Sequence, residues 1–246
     1  RPQDLDGAAS GLVGGQADLG VLALGSGNDF ATMLDQQLDV ASLCLESVVE
    51  FYQTAPTGAV DLGEVCWQSA DGTHHSGYFI NSLGLGLEGA IAQTVQKLKA
   101  VKGLSRYLAA ALWQMTRYRP ISMALNSACQ TITEAESTPK LLVAIGNGRR
   151  AGGGFVLQPH ARIDDGRLDV CWAGALPLWR QAMILPTVFS GGHGRFEGVA
   201  QAQVGAISID CDAGTPVHLD GEWVASDARR LDVRVWPSAI SVVGRG

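Results

Sequence analysis

Two kinds of hydrophobic repeat divide the chain. From Val60 onward, short alternating or continuous apolar segments separated by glycine-bearing turns predict β-strands at 63–68, 77–82, 121–125, 140–146, 167–173, 206–210, 217–219 and 231–236. Asp71-Gly72, between the first two, has the composition of a tight hairpin turn. These strands outnumber what one small sheet needs and predict a sandwich or barrel. A helical insert interrupts them. Ile91, Val95 and Leu98 recur at helical spacing, and Leu104, Leu108, Leu112 and Met115 recur every three or four residues until Pro120 ends the run. The stripe reads as a core-facing one.

The first 55 or so residues follow another pattern: a helix over Leu5 to Leu12, a strand over Leu19 to Leu24, a loop, and a helix from about Phe30. This α/β fragment is too short for a complete doubly wound sheet, which needs several crossovers. The expected architecture is α/β plus β: a partial α/β domain over 1–56, then a β-sandwich-like domain with a helical insert over 57–246, whose last residues are free to return to the first domain.

The loop itself reads Gly25-Ser26-Gly27-Asn28-Asp29. Its glycines permit positive φ and close backbone approach, Ser26 supplies a hydroxyl, and Asn28 or Asp29 can cap the following helix, whose first N–H groups attract anions. An ordinary strand-to-helix turn explains it equally well. It lacks the Lys-Ser/Thr of a P-loop and the glycine spacing of a dinucleotide-binding fingerprint.

Composition narrows the partners. A net charge of −6 argues against a general nucleic-acid binder, so an anionic ligand must meet a local basic patch. Arg149-Arg150 and the helical set Lys97, Lys99, Lys102 and Arg106 are the two such patches, each also readable as solvated surface. Cys44, Cys66, Cys129, Cys171 and Cys211 show neither a disulfide framework nor zinc-ligand pairing and read as reduced core cysteines. No stretch approaches the roughly 18 apolar residues that span a bilayer, and the first residues lack a signal-peptide apolar region. The expected location is cytoplasmic, with membrane contact at the surface only.

Two acidic turns carry candidate chemistry. In Asp164-Asp165-Gly166 a carboxylate and flanking carbonyls can supply the oxygen shell Mg²⁺ prefers, and in Asp220-Gly221-Glu222 one carboxylate can act as general base while its neighbour is held by hydrogen bonds or a metal. Plain Asp-Gly turns account for both as well. The five histidines show no ligand spacing and receive no chemistry.

Taken in order, LGVLALGSGNDFA, VDLGEV, YFINSLGLGLEGAI, NGRRAGGGFVLQPHARIDDGRLDV and VHLDGEW resemble the bacterial diacylglycerol kinase and lipid kinase family, related to sphingosine and ceramide kinases, over nearly the whole chain. The resemblance implies an α/β nucleotide-binding domain and a β-sandwich domain with ATP between them. Its γ-phosphate passes to the hydroxyl of a lipid such as diacylglycerol at a peripheral membrane surface; a homodimer stays open. It implies nucleotide contact through Gly25, Ser26, Gly27, Asn28 and Asp29, with Ser26 where the family usually has Thr. Asp165 with the carbonyls of Arg162 and Arg167 corresponds to a structural Mg²⁺ site, with Asp164 as acidic neighbour. Glu222 corresponds to the proton acceptor and Asp220 to the carboxylate linked to it through water and metal. Arg149-Arg150 and the glycine run 152–154 are expected near the cleft.

The family's G-G-D-G-T motif, expected upstream of the glycine loop, has no counterpart in the sequence, so the nucleotide site is expected to be incomplete in this chain. The alternative to a kinase is a noncatalytic lipid-binding or regulatory relative of the same fold. Retention of Asp164, Asp165, Asp220 and Glu222 favours the kinase. The NAD kinases, which share the ancestral architecture, fit the NDFA and DDGRLDV segments less well.

Overall fold

The computed structural model describes residues 17–23, 28–34, 44–98, 104–127, 132 and 136–245. The helix expected over Leu5 to Leu12, Gly25, Ser26 and Gly27 of the loop, and Lys99, Lys102 and Cys129 lie outside the described residues.

Among the described residues ten strands form one hydrogen-bonded sheet: β1 (Asp18–Leu19), β2 (Thr57–Ser69), β3 (His74–Phe79), β4 (Ser82–Gly86), β5 (Ile121–Asn126), β6 (Thr138–Gly146), β7 (Leu168–Gly174), β8 (Val199–Val204), β9 (Ala206–Leu219) and β10 (Glu222–Val243). The order is β3-β2-β10-β9-β4-β6-β7-β8, and β5 also pairs with both β6 and β9. Because β4 and β5 each connect β9 to β6, the sheet folds over itself in a sandwich-like form. Val65, Leu83, Ile145, Val170, Ile209 and Leu231 from its several strands meet in one apolar cluster. Along β10, Leu231 and Val233 are buried while Asp232 and Arg234 face out, the period of two that the sequence showed.

The segments expected as separate strands over 206–210 and 217–219 are one 14-residue strand, β9. Gly214 and Pro216 broke the sequence pattern, but the chain absorbs them as irregular pairing, with register shifts between Ala225, Ala228 and Arg230 on the partner strand. Likewise 231–236 is the middle of a 22-residue strand, β10. Its last turn of sequence reaches back to the N-terminal part, where Ser241 and Val242 pair in parallel with Asp18 and Leu19. Phe30, Leu34, Val60, Ile80, Ile163 and Val242 seal that junction as a second apolar cluster. Of the described part of the expected 19–24 strand only Leu19 pairs, together with Asp18 before it, and a 3₁₀ turn, Ala31–Met33, opens the stretch expected as a helix from about Phe30, whose residues 35–43 lie outside the described ones.

Among the described residues there are four α-helices: α1 (Leu45–Thr54), α2 (Leu87–Lys97), α3 (Leu104–Met115) and α4 (Leu178–Val188). The repeat of α3 is helical as expected, but its leucines are not the core stripe. Leu104 and Leu112 are exposed, and the helix buries Ala110, Ala111 and Met115 instead, because small residues let it lie close to its neighbours. Sequence periodicity gave no signal for α4, which begins after Pro177 and carries Pro186 inside it. Helices α2 and α4, the end of α3, and strands β6 and β7 share a third cluster around Leu87, Met115, Leu141, Ile184 and Val188.

The cysteines correct one expectation. Cys171 is buried, but Cys44 and Cys66 are exposed. Cys44 is the N-cap of α1, its sulfur accepting from the Ser47 N–H while the Ser47 hydroxyl accepts from the Cys44 N–H.

Candidate active site

The β9–β10 hairpin turns on Asp220 and Gly221, both with positive φ (47° and 85°), as a two-residue Asp-Gly turn requires. That conformation aims the Asp220 carboxylate at the β3–β4 connection. Oδ2 accepts from the Ile80 N–H at 2.9 Å, and Oδ1 accepts from the N–H groups of Asn81 and Ser82 at 2.9 and 2.8 Å. The Asp220 N–H donates to the Ser82 carbonyl at 2.7 Å. Burial pushes the Asp220 carboxyl above the usual carboxylate range, against the pull of those three donors. Both oxygens of Asp220 are thus engaged by backbone, and the residue fixes the turn that presents Gly221 and Glu222.

Two residues before it, His218 accepts the Gly221 N–H at Nδ1 (3.2 Å), and its Nε2 lies 3.5 Å from Glu88 Oε1 at the start of α2. Glu88 Oε2 is buried without a hydrogen-bond partner. The pair fits only because position 84 is glycine: a Cβ there would run into both the Glu88 carboxylate and the His218 ring.

From the other end of the chain comes Asp29. Its Oδ2 accepts the Gly153 N–H at 2.7 Å, whereas Oδ1 is buried with no partner among the described residues. Burial raises its carboxyl above the ordinary value, and the N–H groups of Gly153 and Gly154 and the Arg150 charge only partly offset this. Gly152, Gly153 and Gly154 all have positive φ, a backbone path that explains the glycine run. Asn81 donates to the Arg150 carbonyl at 2.8 Å, and buried Asn147 donates to the carbonyls of Asp61 and Ile80, so the loops around Asp29 and Asp220 are stapled together.

Between them opens a cavity of about 170 Å³. Its walls are apolar, built from Ile91, Ala111, Met115, Phe155, Leu185 and Val188. Asp29, Glu88, His218, Asp220 and Tyr107 bring polar groups to it. Burial raises the Tyr107 phenol; Asp29 and Glu222 push it further up, and Arg106 pulls it down. The phenol therefore senses both carboxylates. The structure brings Asp29, Asp220 and Glu222 to one neighbourhood. Tyr107, Glu88 and His218 were missed: Tyr107 is one polar tip within an apolar stripe, and neither Glu88 nor His218 has a motif of its own.

The second acidic turn lies apart from the cavity. Asp61, almost wholly buried on β2, accepts the Gly166 N–H at 2.6 Å and the Ser238 N–H at 2.8 Å, tying this turn to β10. Asp165 accepts the Arg167 N–H at 3.0 Å. Burial raises the Asp165 carboxyl, and the nearby charges of Asp61 and Asp164 raise it further. Asp164 instead pairs with Arg162 at 3.3 Å and Arg245 at 2.6 Å. Burial would raise its carboxyl, but the two guanidinium groups outweigh that and hold it below the usual range. Among the described residues, no three or more His, Cys, Asp or Glu side chains are grouped to hold a metal. The same arginines and Asp164 line a polar cleft of about 450 Å³ with Arg149, Arg150 and the 32–34 segment. Of the basic helical set, Arg106 donates to the Val95 carbonyl at the end of α2 and is not a free surface charge.

Residues 81–244 match the family model described as the YegS C-terminal NAD kinase beta sandwich-like domain. Over 233 residues the chain is 36% identical to a probable lipid kinase, YegS-like, from Pseudomonas aeruginosa, spanning 93% of this chain and 68% of that protein. It is 25% identical over 232 residues to a diacylglycerol kinase of Mycobacterium tuberculosis, spanning 94% of this chain and 71% of that one. A solved structure of a diacylglycerol kinase from Bacillus anthracis superposes with a TM-score of 0.57 at 17% identity, covering 95% of this chain and 70% of that one, a likeness of fold. With its β-sandwich matched from Asn81 onward and this degree of identity along nearly its whole length, the chain belongs to the YegS-like lipid kinase and diacylglycerol kinase family.

Proposed function

We propose that the chain transfers the γ-phosphate of ATP to the hydroxyl of a lipid such as diacylglycerol, with the acyl part in the cavity and the hydroxyl at its carboxylate end. The observation that carries this reading is the cavity's division: apolar walls from three helices on one side, and Asp29, Tyr107 and the Asp220 turn on the other. Phosphoryl transfer asks for positioning and charge neutralisation more than covalent chemistry. In this reading Glu222 accepts the hydroxyl proton, Asp220 holds the turn that aims it, and Asp29 orients the hydroxyl through its unpartnered oxygen. Ser26 meets the nucleotide phosphates in a loop shaped by Gly25, Gly27, Asn28 and Asp29, and the arginine-lined cleft nearby supplies compensating positive charge.

The residues at the second acidic turn fit a divalent cation. Asp165 stands among like charges that an oxygen-liganded ion would relieve, with the carbonyls of Arg162 and Arg167 as its proposed partners and Asp164 as neighbour. Mg²⁺ bound there would neutralise charge and stiffen the turn. The division into 1–56 and 57–246 is part of the same proposal, supported by the separate apolar cluster at the β1–β10 junction.

The test, in a form of the chain that carries a G-G-D-G-T segment, follows label from γ-radiolabelled ATP into dioctanoylglycerol in mixed micelles. Glu222→Gln should lower kcat by about 10²-fold or more with the KM for ATP nearly unchanged, while Ser26→Ala weakens nucleotide binding. No labelled lipid from the form that carries the G-G-D-G-T segment, or undiminished turnover by its Glu222→Gln variant, overturns the assignment.

A further inference from the structure

Tyr107, Ala111 and Met115 follow one another at intervals of four on α3 and line the cavity as one row of that helix. Met115 and Ala111 continue the apolar wall, whereas Tyr107 ends the row with a phenol. Its side chain bridges the two loops that carry the carboxylates. A Cβ on Gly152, next to the Gly153 N–H that holds Asp29, would lie 3.4 Å from the ring, and one on Gly221 would lie 3.4 Å from the hydroxyl oxygen. The hydroxyl therefore sits over the Asp220-Gly221 turn, beside the residue that precedes Glu222.

The other polar groups around the cavity are already engaged or are acceptors. Asp29, Glu88 and Asp220 bring carboxylate oxygens. The Asn81 amide donates to the Arg150 carbonyl, and His218 Nε2 faces Glu88. Ser82 has a hydroxyl, but on the short side chain of a residue only 2% exposed at the start of β4. The Tyr107 hydroxyl stands at the end of a long side chain and donates to no acceptor among the described residues. Burial raises the phenol and the charges of Asp29 and Glu222 raise it further, so at neutral pH it keeps the proton it has to give.

A donor at this spot belongs beside the reacting hydroxyl and not on it. That hydroxyl gives its proton to a carboxylate while its oxygen lone pair attacks phosphorus, and a donor on the same oxygen would hold the lone pair back. The nearest other oxygens of a lipid alcohol are those of its chain linkages, among which a carbonyl oxygen accepts better than an ether oxygen. We propose that Tyr107 is a specificity-determining residue whose hydroxyl donates to an acyl carbonyl next to the reacting hydroxyl, so that the acceptor class is an acylated alcohol and not an alkyl ether or a plain long-chain alcohol. The proposal rests on reading the cavity as the acceptor site and adds which linkage that site selects. A lipid without the carbonyl leaves the phenol unpaired, and a site that loses a hydrogen bond in this way discriminates against the analogue.

Binding to the 246-residue chain in the absence of ATP tests it, by methyl-labelled NMR at Ile91 and Met115 during titration with dioctanoylglycerol and with its diether analogue, dioctylglycerol. The wild type should bind the ester about three- to tenfold more tightly than the ether. Tyr107→Phe, which keeps the ring between the two loops, should weaken the ester by that factor, leave the ether unchanged and so erase the preference. Equal affinity of the wild type for both lipids overturns the proposal and leaves the cavity reading intact. A Tyr107→Phe variant that weakens both lipids alike, or neither, overturns it too, since the first marks a packing role and the second no role. Binding of neither lipid by the wild type removes the cavity reading and the proposal with it. In the form that carries the G-G-D-G-T segment, Tyr107→Phe should raise the KM for dioctanoylglycerol and hold kcat within about twofold. A fall in kcat at unchanged KM would place the phenol on the reacting oxygen and overturn the proposal.

Discussion

Asp220→Ala should be the most damaging single substitution near the candidate site, because it removes one acceptor from three backbone donors at once. The Ile80, Asn81 and Ser82 N–H groups donate to this carboxylate at 2.8–2.9 Å, and all three residues are buried. A buried donor left unsatisfied costs about 1–3 kcal/mol, but the three losses share one loop that relaxes as a unit, so their sum overstates the effect. Three such donors that relax together lose about 3–5 kcal/mol, and alanine in the left-handed conformation at φ 47°, which aspartate tolerates better, adds about 1 kcal/mol. Against a total stability of about 5–15 kcal/mol, that is a large share. For a chain of this size each kcal/mol moves Tm by about 2–4 °C, so the melting point should fall by well over 10 °C. Asp220→Gly isolates the hydrogen bonds, since glycine accepts the positive φ. Asp220→Asn should be intermediate, keeping one oxygen for Asn81 and Ser82 but turning an NH₂ group toward the Ile80 N–H. Urea denaturation followed by circular dichroism, with amide exchange at 80–82, reads the order wild type, Asn, Gly, Ala. A glycine variant within about 0.5 kcal/mol of wild type, the range of surface substitutions, would show that the carboxylate does not hold the turn.

Further outcomes follow from the same geometry. Asp29→Asn should abolish phosphoryl transfer yet stabilise the fold near neutral pH. Burial raises the folded-state pKa of Asp29, so the wild type loses stability relative to the variant as pH climbs from the ordinary Asp value through the raised one, and the gap is constant above it; thermal melts whose gap is widest in acid would refute this. Gly89→Ala should destabilise by about 1–3 kcal/mol in urea although alanine is the better helix former, because its Cβ would lie 2.8 Å from the Val217 nitrogen and closer still to the Pro216 carbonyl; a neutral or stabilising result would mean that α2 can move off β9. In alkylation at neutral pH, Cys44, exposed and held below the usual thiol range by the Ser47 hydroxyl and N–H, should react well before Cys171, which is buried and pushed up to about 12; early modification of Cys171 by mass spectrometry would show that β7 opens.

What the sequence made legible was whatever a local pattern encodes. The Asp-Gly turns at 71–72 and 220–221, the alternation in β10 and the helical spacing of α2 and α3 depend on neighbours a few residues apart, and they are found as read. The glycine run before Phe155 signalled a special backbone for the same reason. Long-range competition was not legible. Leu104 and Leu112 have the spacing of a core stripe, but only the packing of α3 against its neighbours decides that alanines are buried and leucines exposed. Nothing within the VHLDGEW segment says that Asp220 caps Ile80–Ser82, or that His218 meets Glu88 across a position that must be glycine. Asp61 shows the limit most plainly: it reads as one polar residue in a strand, and its task is to hold Gly166 and Ser238, both more than a hundred residues further along the chain.

The claim on which the rest depends is that the cavity between α2, α3 and α4 receives the acceptor lipid. Methyl-labelled NMR during titration with dioctanoylglycerol addresses it directly, through Ile91, Met115, Leu185 and Val188 on the apolar walls. Saturable shifts at these methyls, lost when Ala111→Trp fills the space between them, are the predicted result. Shifts confined to other methyls, or titration unaffected by Ala111→Trp in a folded variant, would contradict the account.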